Sequence, residues 1–137
     1  MKNSKIYIHA DGGSRGNPGP AAIGIIVFDE NMNQIDSFKE CIGDKTSNDA
    51  EYLALNKALE IGMKHTRKEV NILMDSELVI KQMNKRYRVK AANLRPLFLE
   101  VKQLELEFQK VQYNHVSRNN SYQSQADKLV NEALDSL

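Results

Sequence analysis

The sequence predicts an α/β fold in one domain: a five-stranded mixed sheet, three strands antiparallel and then two parallel, flanked by helices. Three observations predict it. Residues 6–41 carry alternating and β-branched segments joined by short polar links, which suits an antiparallel meander. The pattern then switches to a helical period. Beyond that switch short apolar strands alternate with helices, and strands joined through a helix pair in parallel. A length of 137 residues matches a single domain over 1–137.

Taken in order, Ile6–Asp11 alternates with period two and reads as a strand. Gly12–Pro20 holds four glycines and two prolines and reads as a turn. Ile23–Phe28 is a second strand, Glu30–Asn33 a polar hairpin, and Gln34–Cys41 a third strand. Tyr52, Leu55, Ala58, Leu59 and Gly62 fall on one stripe, predicting a helix from about Asn48 to Met63. Val70–Met74 is a short buried strand, and Asp75-Ser76 opens a helix through Lys85. Pro96 suits the first turn of a helix running to Phe108. Val111–Val116 reads as the last strand and Ala126–Leu137 as a closing helix.

Composition narrows the function classes. Hydrophobic residues make up 41% and charged residues 27%, a globular balance. The apolar run Ala21–Phe28 falls far short of the ~20 residues of a membrane span. No signal peptide is visible, and the lone Cys41 excludes a disulfide framework or a cysteine-rich zinc site. A cytoplasmic monomer without membrane association is expected. The net charge of +1 favours no polyanion by itself. Its distribution says more, because Lys81, Lys85, Arg86, Arg88, Lys90 and Arg95 form a run without an acidic residue. That run reads either as a solvated helix end or as a phosphate-binding patch beside Tyr87.

Four carboxylates lie where chemistry gathers. Asp11 and Asp75 end strands, and sites in open α/β sheets form at the carboxyl ends of strands. Glu51 shares the buried stripe of its helix, and Asp127 precedes Val130, Leu134 and Leu137 at helical spacing. Each also has an ordinary explanation: Asn48-x-x-Glu51 and Ser124-x-x-Asp127 resemble capping boxes. Jointly those explanations weaken, because converging carboxylates repel unless a cation holds them. Oxygen ligands of this kind suit magnesium or manganese.

The stretch Asp11-Gly12-Gly13-Ser14-Arg15-Gly16-Asn17-Pro18-Gly19-Pro20 resembles the opening signature of type 1 ribonuclease H. Thr46-Ser47-Asn48-Asp49-Ala50-Glu51-Tyr52 is similar to the family's second block, Asp75-Ser76-x-Leu78-Val79 to its third. His115-Val116-x-Arg118 and Ala126-Asp127-x-Leu129 resemble its last. The blocks stand in family order over nearly the whole chain. The resemblance implies the ribonuclease H-like sheet and an endoribonuclease that cleaves the RNA strand of RNA–DNA hybrids. It implies 5′-phosphate and 3′-hydroxyl products and two Mg²⁺ ions per site, with Mn²⁺ as a substitute. By the same resemblance Asp11, Glu51, Asp75 and Asp127 are metal-binding and catalytic, and His115 assists proton transfer or product release. Asn17, Asn48, Ser47 and the Gly12–Gly13 backbone would read the 2′-hydroxyl, and Thr46 would hold a phosphate of the DNA strand.

Two departures stand out. Many bacterial members carry a basic protrusion, whereas Lys85–Arg95 is too short for one. The chain thus resembles the compact form, with Lys85, Arg86, Arg88 and Lys90 as the substitute contacts. Twelve positions separate His115 from Asp127, two more than is usual in the family, and Gln123 stands where an asparagine is common. Another nuclease of the same superfold and a non-catalytic hybrid-binding module are the alternatives; the asparagine blocks count against the first and the four carboxylates against the second. No Gly-rich loop ends in Gly-Lys-Ser/Thr, which disfavours an NTPase.

Overall fold

The computed structural model describes residues 3–85 and 88–137. Among them five strands and four helices follow the expected order: β1 (Lys5–Ser14), β2 (Gly19–Phe28), β3 (Gln34–Lys45), α1 (Ser47–Gly62), β4 (Glu69–Met74), α2 (Glu77–Met83), α3 (Arg95–Glu105), β5 (Lys110–His115) and α4 (Gln123–Asp135). The sheet order is β3-β2-β1-β4-β5. The β1–β2 and β2–β3 pairs are antiparallel, and β1–β4 and β4–β5 are parallel. This is the ribonuclease H-like mixed sheet that the sequence predicts.

Alternation divides β1 between two layers. Ile6, Ile8 and Ala10 are fully buried and face α1, which covers the larger core with Leu55, Ala58 and Leu59. His9 and Asp11 face α4, where Ala22, Val130, Ala133 and Leu134 form a smaller core. Helix α3 packs outside α1. The predicted face of α4 holds for Val130 and Leu134 but not for Leu137, which is exposed beyond the last turn.

The Gly12–Pro20 turn is shorter than expected. Gly12–Ser14 stays in β1, paired with Ala21–Ile23, and Gly19-Pro20 already pairs with β3. Gly12 is required there for closeness rather than for a turn: a Cβ would lie 2.2 Å from the Ala50 carbonyl oxygen. Only Arg15–Pro18 makes the turn, with Gly16 at φ 126° and a cis Asn17–Pro18 bond. Helix α2 ends at Met83 rather than Lys85, because Lys85 adopts φ 63°. Helix α4 begins at Gln123, one turn early, since Asn120 Oδ1 accepts from the backbone N–H of Tyr122 and Gln123.

Candidate active site

Strands β1 and β4 run parallel, and β4 ends at Met74 beside the middle of β1, so Asp75 emerges next to Asp11. Asp11 lies inside β1 (Lys5–Ser14) rather than at its end as expected, because Gly12–Ser14 go on pairing with β2. Helix α1 brings Glu51 to the same place from one layer, and α4 brings Asp127 from the other. The start of α1 is set by Thr46, whose Oγ1 accepts from Asp49 N–H at 3.1 Å. The Asn48–Glu51 capping box therefore does not form. Glu51 instead accepts from the Gly12 backbone N–H at 2.6 Å, a contact only a side-chain-free strand residue permits.

Carboxylate oxygens of Asp11, Glu51 and Asp75 lie within 4.8 Å of one another. Asp127 lines the same cleft from the α4 side. Burial first, then the charges of Glu51, Asp75 and Asp127, raise the Asp11 pKa far above the carboxylate range. Burial and Asp75 likewise raise Glu51, against the opposing bond from Gly12. Hard, oxygen-only donors held together at such cost fit a divalent cation. The four residues line an open cleft of about 400 Å³ with Gly12, Gly13, His115, Val116, Ser117 and Arg118. His115 is exposed on its rim, where β5 ends opposite Met74.

The remaining predicted residues fall in two places. Asn17 Oδ1 accepts from Ser47 N–H at 3.0 Å, so the turn and the α1 start brace each other. Both that oxygen and the Gly12 N–H are thus engaged within the protein. Asn48 is exposed beside them, and its amide bonds to nothing among the described residues. Thr46 keeps its hydroxyl hydrogen available to donate. Lys85 and Arg88 lie apart, in a groove of about 360 Å³ lined also by Gln82, Val89, Arg95 and Phe98. Lys90 is exposed nearby, whereas Arg86 lies outside the described residues. Asn93 Nδ2 donates to Asp49 Oδ1 at 3.0 Å and ties this segment to the first turn of α1.

The fold gives Arg95, Gly24 and the His9–Gln123 pair places that the sequence did not announce. Arg95 stood in the acid-free run, but only the fold turns it into the groove beside Phe98. Gly24 reads as a small strand residue, yet a Cβ there would lie 2.4 Å from the Ala126 carbonyl oxygen, so its absence admits α4. His9 and Gln123 meet across 114 positions, and no local pattern announces such a pair.

The model of the reverse transcriptase-like family matches residues 9–133. A bifunctional protein of Mycobacterium tuberculosis is 41% identical over 96% of the chain, which covers 36% of that protein. The chain thus spans about a third of the mycobacterial relatives it matches. A ribonuclease HI of Halobacterium salinarum is 34% identical over 98% of the chain and 66% of its own length. Among solved structures, the N-terminal RNase H domain of the mycobacterial protein superposes with a TM-score of 0.92 at 38% identity, covering 98% of this chain and 96% of that one. RNase H1 from Halobacterium salinarum gives 0.91 at 33% identity, with 97% and 99% covered. LC11-RNase H1, solved in complex with an RNA/DNA hybrid, gives 0.87 at 40% identity, with 96% and 97% covered.

Proposed function

The chain belongs to the type 1 ribonuclease H family, and we propose that it hydrolyses the RNA strand of RNA–DNA hybrids, leaving 5′-phosphate and 3′-hydroxyl ends. One observation carries the reading: Asp11, Glu51 and Asp75 converge within 4.8 Å, with Asp127 alongside, in an open cleft. The fold supports it, since a relative at 40% identity is described in complex with an RNA/DNA hybrid.

Asp11, Glu51, Asp75 and Asp127 would hold two divalent cations, Mg²⁺ by preference. When bound, such ions lower the pKa of a coordinated water and offset charge on the scissile phosphate and the leaving oxygen. The protein's own part is positioning. Gly12 aims Glu51, and Asp11 from β1 and Asp127 from α4 line one cleft. Asn48 presents an amide that can donate to and accept from a ribose 2′-hydroxyl, a group deoxyribose lacks. Thr46 and the Lys85–Lys90 segment would hold phosphates of the DNA strand. His115, exposed on the rim, would assist proton transfer or product departure.

The test is incubation with labelled RNA–DNA hybrid, duplex RNA and duplex DNA, each with Mg²⁺, Mn²⁺ or chelator. The reading expects cleavage of the RNA strand of the hybrid alone, and only with metal. Equal cutting of duplex DNA, or cutting in chelator, would sink it.

A further inference from the structure

The α4 side of the sheet holds a buried polar pair that the proposed chemistry leaves unused. His9 is 2% exposed and Gln123 0%. His9 Nδ1 lies 3.0 Å from Gln123 Oε1, and Gln123 Nε2 lies 2.9 Å from the Ala10 carbonyl oxygen. A carbonyl oxygen only accepts, so the Gln123 amide nitrogen must face Ala10 and its oxygen must face His9. The His9 Nδ1 therefore carries the hydrogen and donates it. The ring packs edge-on to Phe28 at 5.9 Å and against Tyr122 at 5.7 Å.

The pair is geometrically linked to the carboxylates. Gln123 lies four residues before Asp127, one helical turn away on the same face of α4. His9 lies two residues before Asp11, on the same face of β1. The Gln123–His9 contact thus stands one step from the cleft that Asp127 and Asp11 line together, between the same helix and the same strand. Contact at Gly24 already prevents α4 from sinking toward the sheet, since the Ala126 carbonyl presses on that glycine. The Gln123 amide adds a second tie, gripping β1 at two points, the His9 ring and the Ala10 carbonyl.

We propose that His9 and Gln123 are positioning residues for Asp127: their hydrogen bond, with the Gln123–Ala10 bond, sets the axial placement of α4 and so the reach of Asp127 to Asp11. The inference rests on the reading of Asp127 as a metal ligand. Outer hydrogen bonds that orient ligands typically change metal affinity 10–100-fold when removed.

The test measures Mn²⁺ binding to the full chain by calorimetry, alongside the Mg²⁺ dependence of hybrid cleavage. His9→Phe keeps an aromatic ring but removes the donor. Gln123→Asn is one methylene too short to reach both partners. Each is made alone and with Asp127→Asn. Each single variant should weaken Mn²⁺ binding and raise the half-maximal Mg²⁺ about tenfold, with KM for hybrid changed less than about twofold. In the Asp127→Asn background neither substitution should weaken metal binding further, because the ligand they place is gone. Equal losses in both backgrounds would mark a structural role only and overturn the proposal. So would unchanged Mn²⁺ affinity in either folded single variant. If His9→Phe fails to fold, Gln123→Asn decides the cycle. A wild type that binds Mn²⁺ but cleaves no hybrid would defeat the functional reading, while the calorimetric cycle would still judge the positioning.

Discussion

Placing an alanine at Gly12 tests how β1 and α1 build the site together. The added Cβ would lie 2.2 Å from the Ala50 carbonyl oxygen, 2.4 Å from its carbon and 2.7 Å from the Glu51 nitrogen. Carbon and oxygen do not approach so closely, so strand and helix must part by about 1 Å. The neighbours are backbone atoms of the first turn of α1, so no side-chain rotation relieves the clash. Parting also stretches the 2.6 Å bond from Gly12 N–H to Glu51. Overpacking of this kind costs about 1–3 kcal/mol, and loss of the hydrogen bond to Glu51, whose pKa burial raises, about 0.5–1.5 kcal/mol more. Loss of stability should reach about 3 kcal/mol by urea unfolding. A 1 Å misplacement of a catalytic group costs roughly 100-fold in rate, so kcat at saturating Mg²⁺ should fall by about that factor. The matched control is Gly62→Ala at the other end of α1, where the Cβ would meet the movable tip of Ile8 at 3.2 Å. That variant should keep full activity and stay within about 1 kcal/mol of wild type. If Gly12→Ala retains more than a third of wild-type turnover, the close approach does not set Glu51 and the reasoning fails.

Asp11→Asn should abolish cleavage while stabilising the metal-free protein. The native pKa of Asp11 is raised, so its contribution to stability is intact below the unfolded carboxylate value of about 4 and is lost as pH rises toward the native value. Urea unfolding in chelator should therefore show the variant ahead by about 2 kcal/mol at pH 8 and nearly level at pH 4; a wild type that gains stability over that range would contradict this. Alanines at Lys85, Arg88 and Lys90 should raise KM more than they lower kcat. They should also flatten the salt dependence of hybrid binding by about one counterion per lost phosphate contact, and an unchanged slope would return these residues to a solvated face. Asn48→Ala should slow hybrid cleavage about tenfold and blunt the response to single 2′-deoxy substitutions near the scissile bond, because a bond of about 1.4 kcal/mol is already gone. Equal responses of variant and wild type to every substitution would refute 2′-hydroxyl reading by Asn48.

The sheet and helix order were legible because both periods are clean in this chain. Tyr52, Leu55, Ala58, Leu59 and Gly62 all bury as their spacing requires. Element ends were less legible where tertiary contact overrides local preference. Gly12 and Gly13 look like turn residues in isolation, but β2 pairs with both and α1 needs the space at Gly12. Thr46 rather than Asn48 caps α1, because Asn48 already lies inside the helix. Asp11, Glu51 and Asp75 meet as the sequence groups them, although Asp11 lies inside β1 and not at the strand end expected for it, because β2 keeps pairing through Ser14. The supporting contacts were not legible. Gly12 N–H with Glu51, Asn17 with Ser47, and His9 with Gln123 each join segments far apart in sequence.

The most direct measurement of the central claim is the fate of solvent oxygen. Hybrid cleaved in ¹⁸O-enriched water with Mg²⁺ should yield an RNA product whose 5′-phosphate carries one ¹⁸O and whose partner ends in an unlabelled 3′-hydroxyl. That pattern requires water as nucleophile, the reaction a carboxylate-held metal site supports. Unlabelled 2′,3′-cyclic phosphate ends would mean attack by the ribose 2′-hydroxyl, and would contradict a site in which Asp11, Glu51, Asp75 and Asp127 hold the ions that activate water.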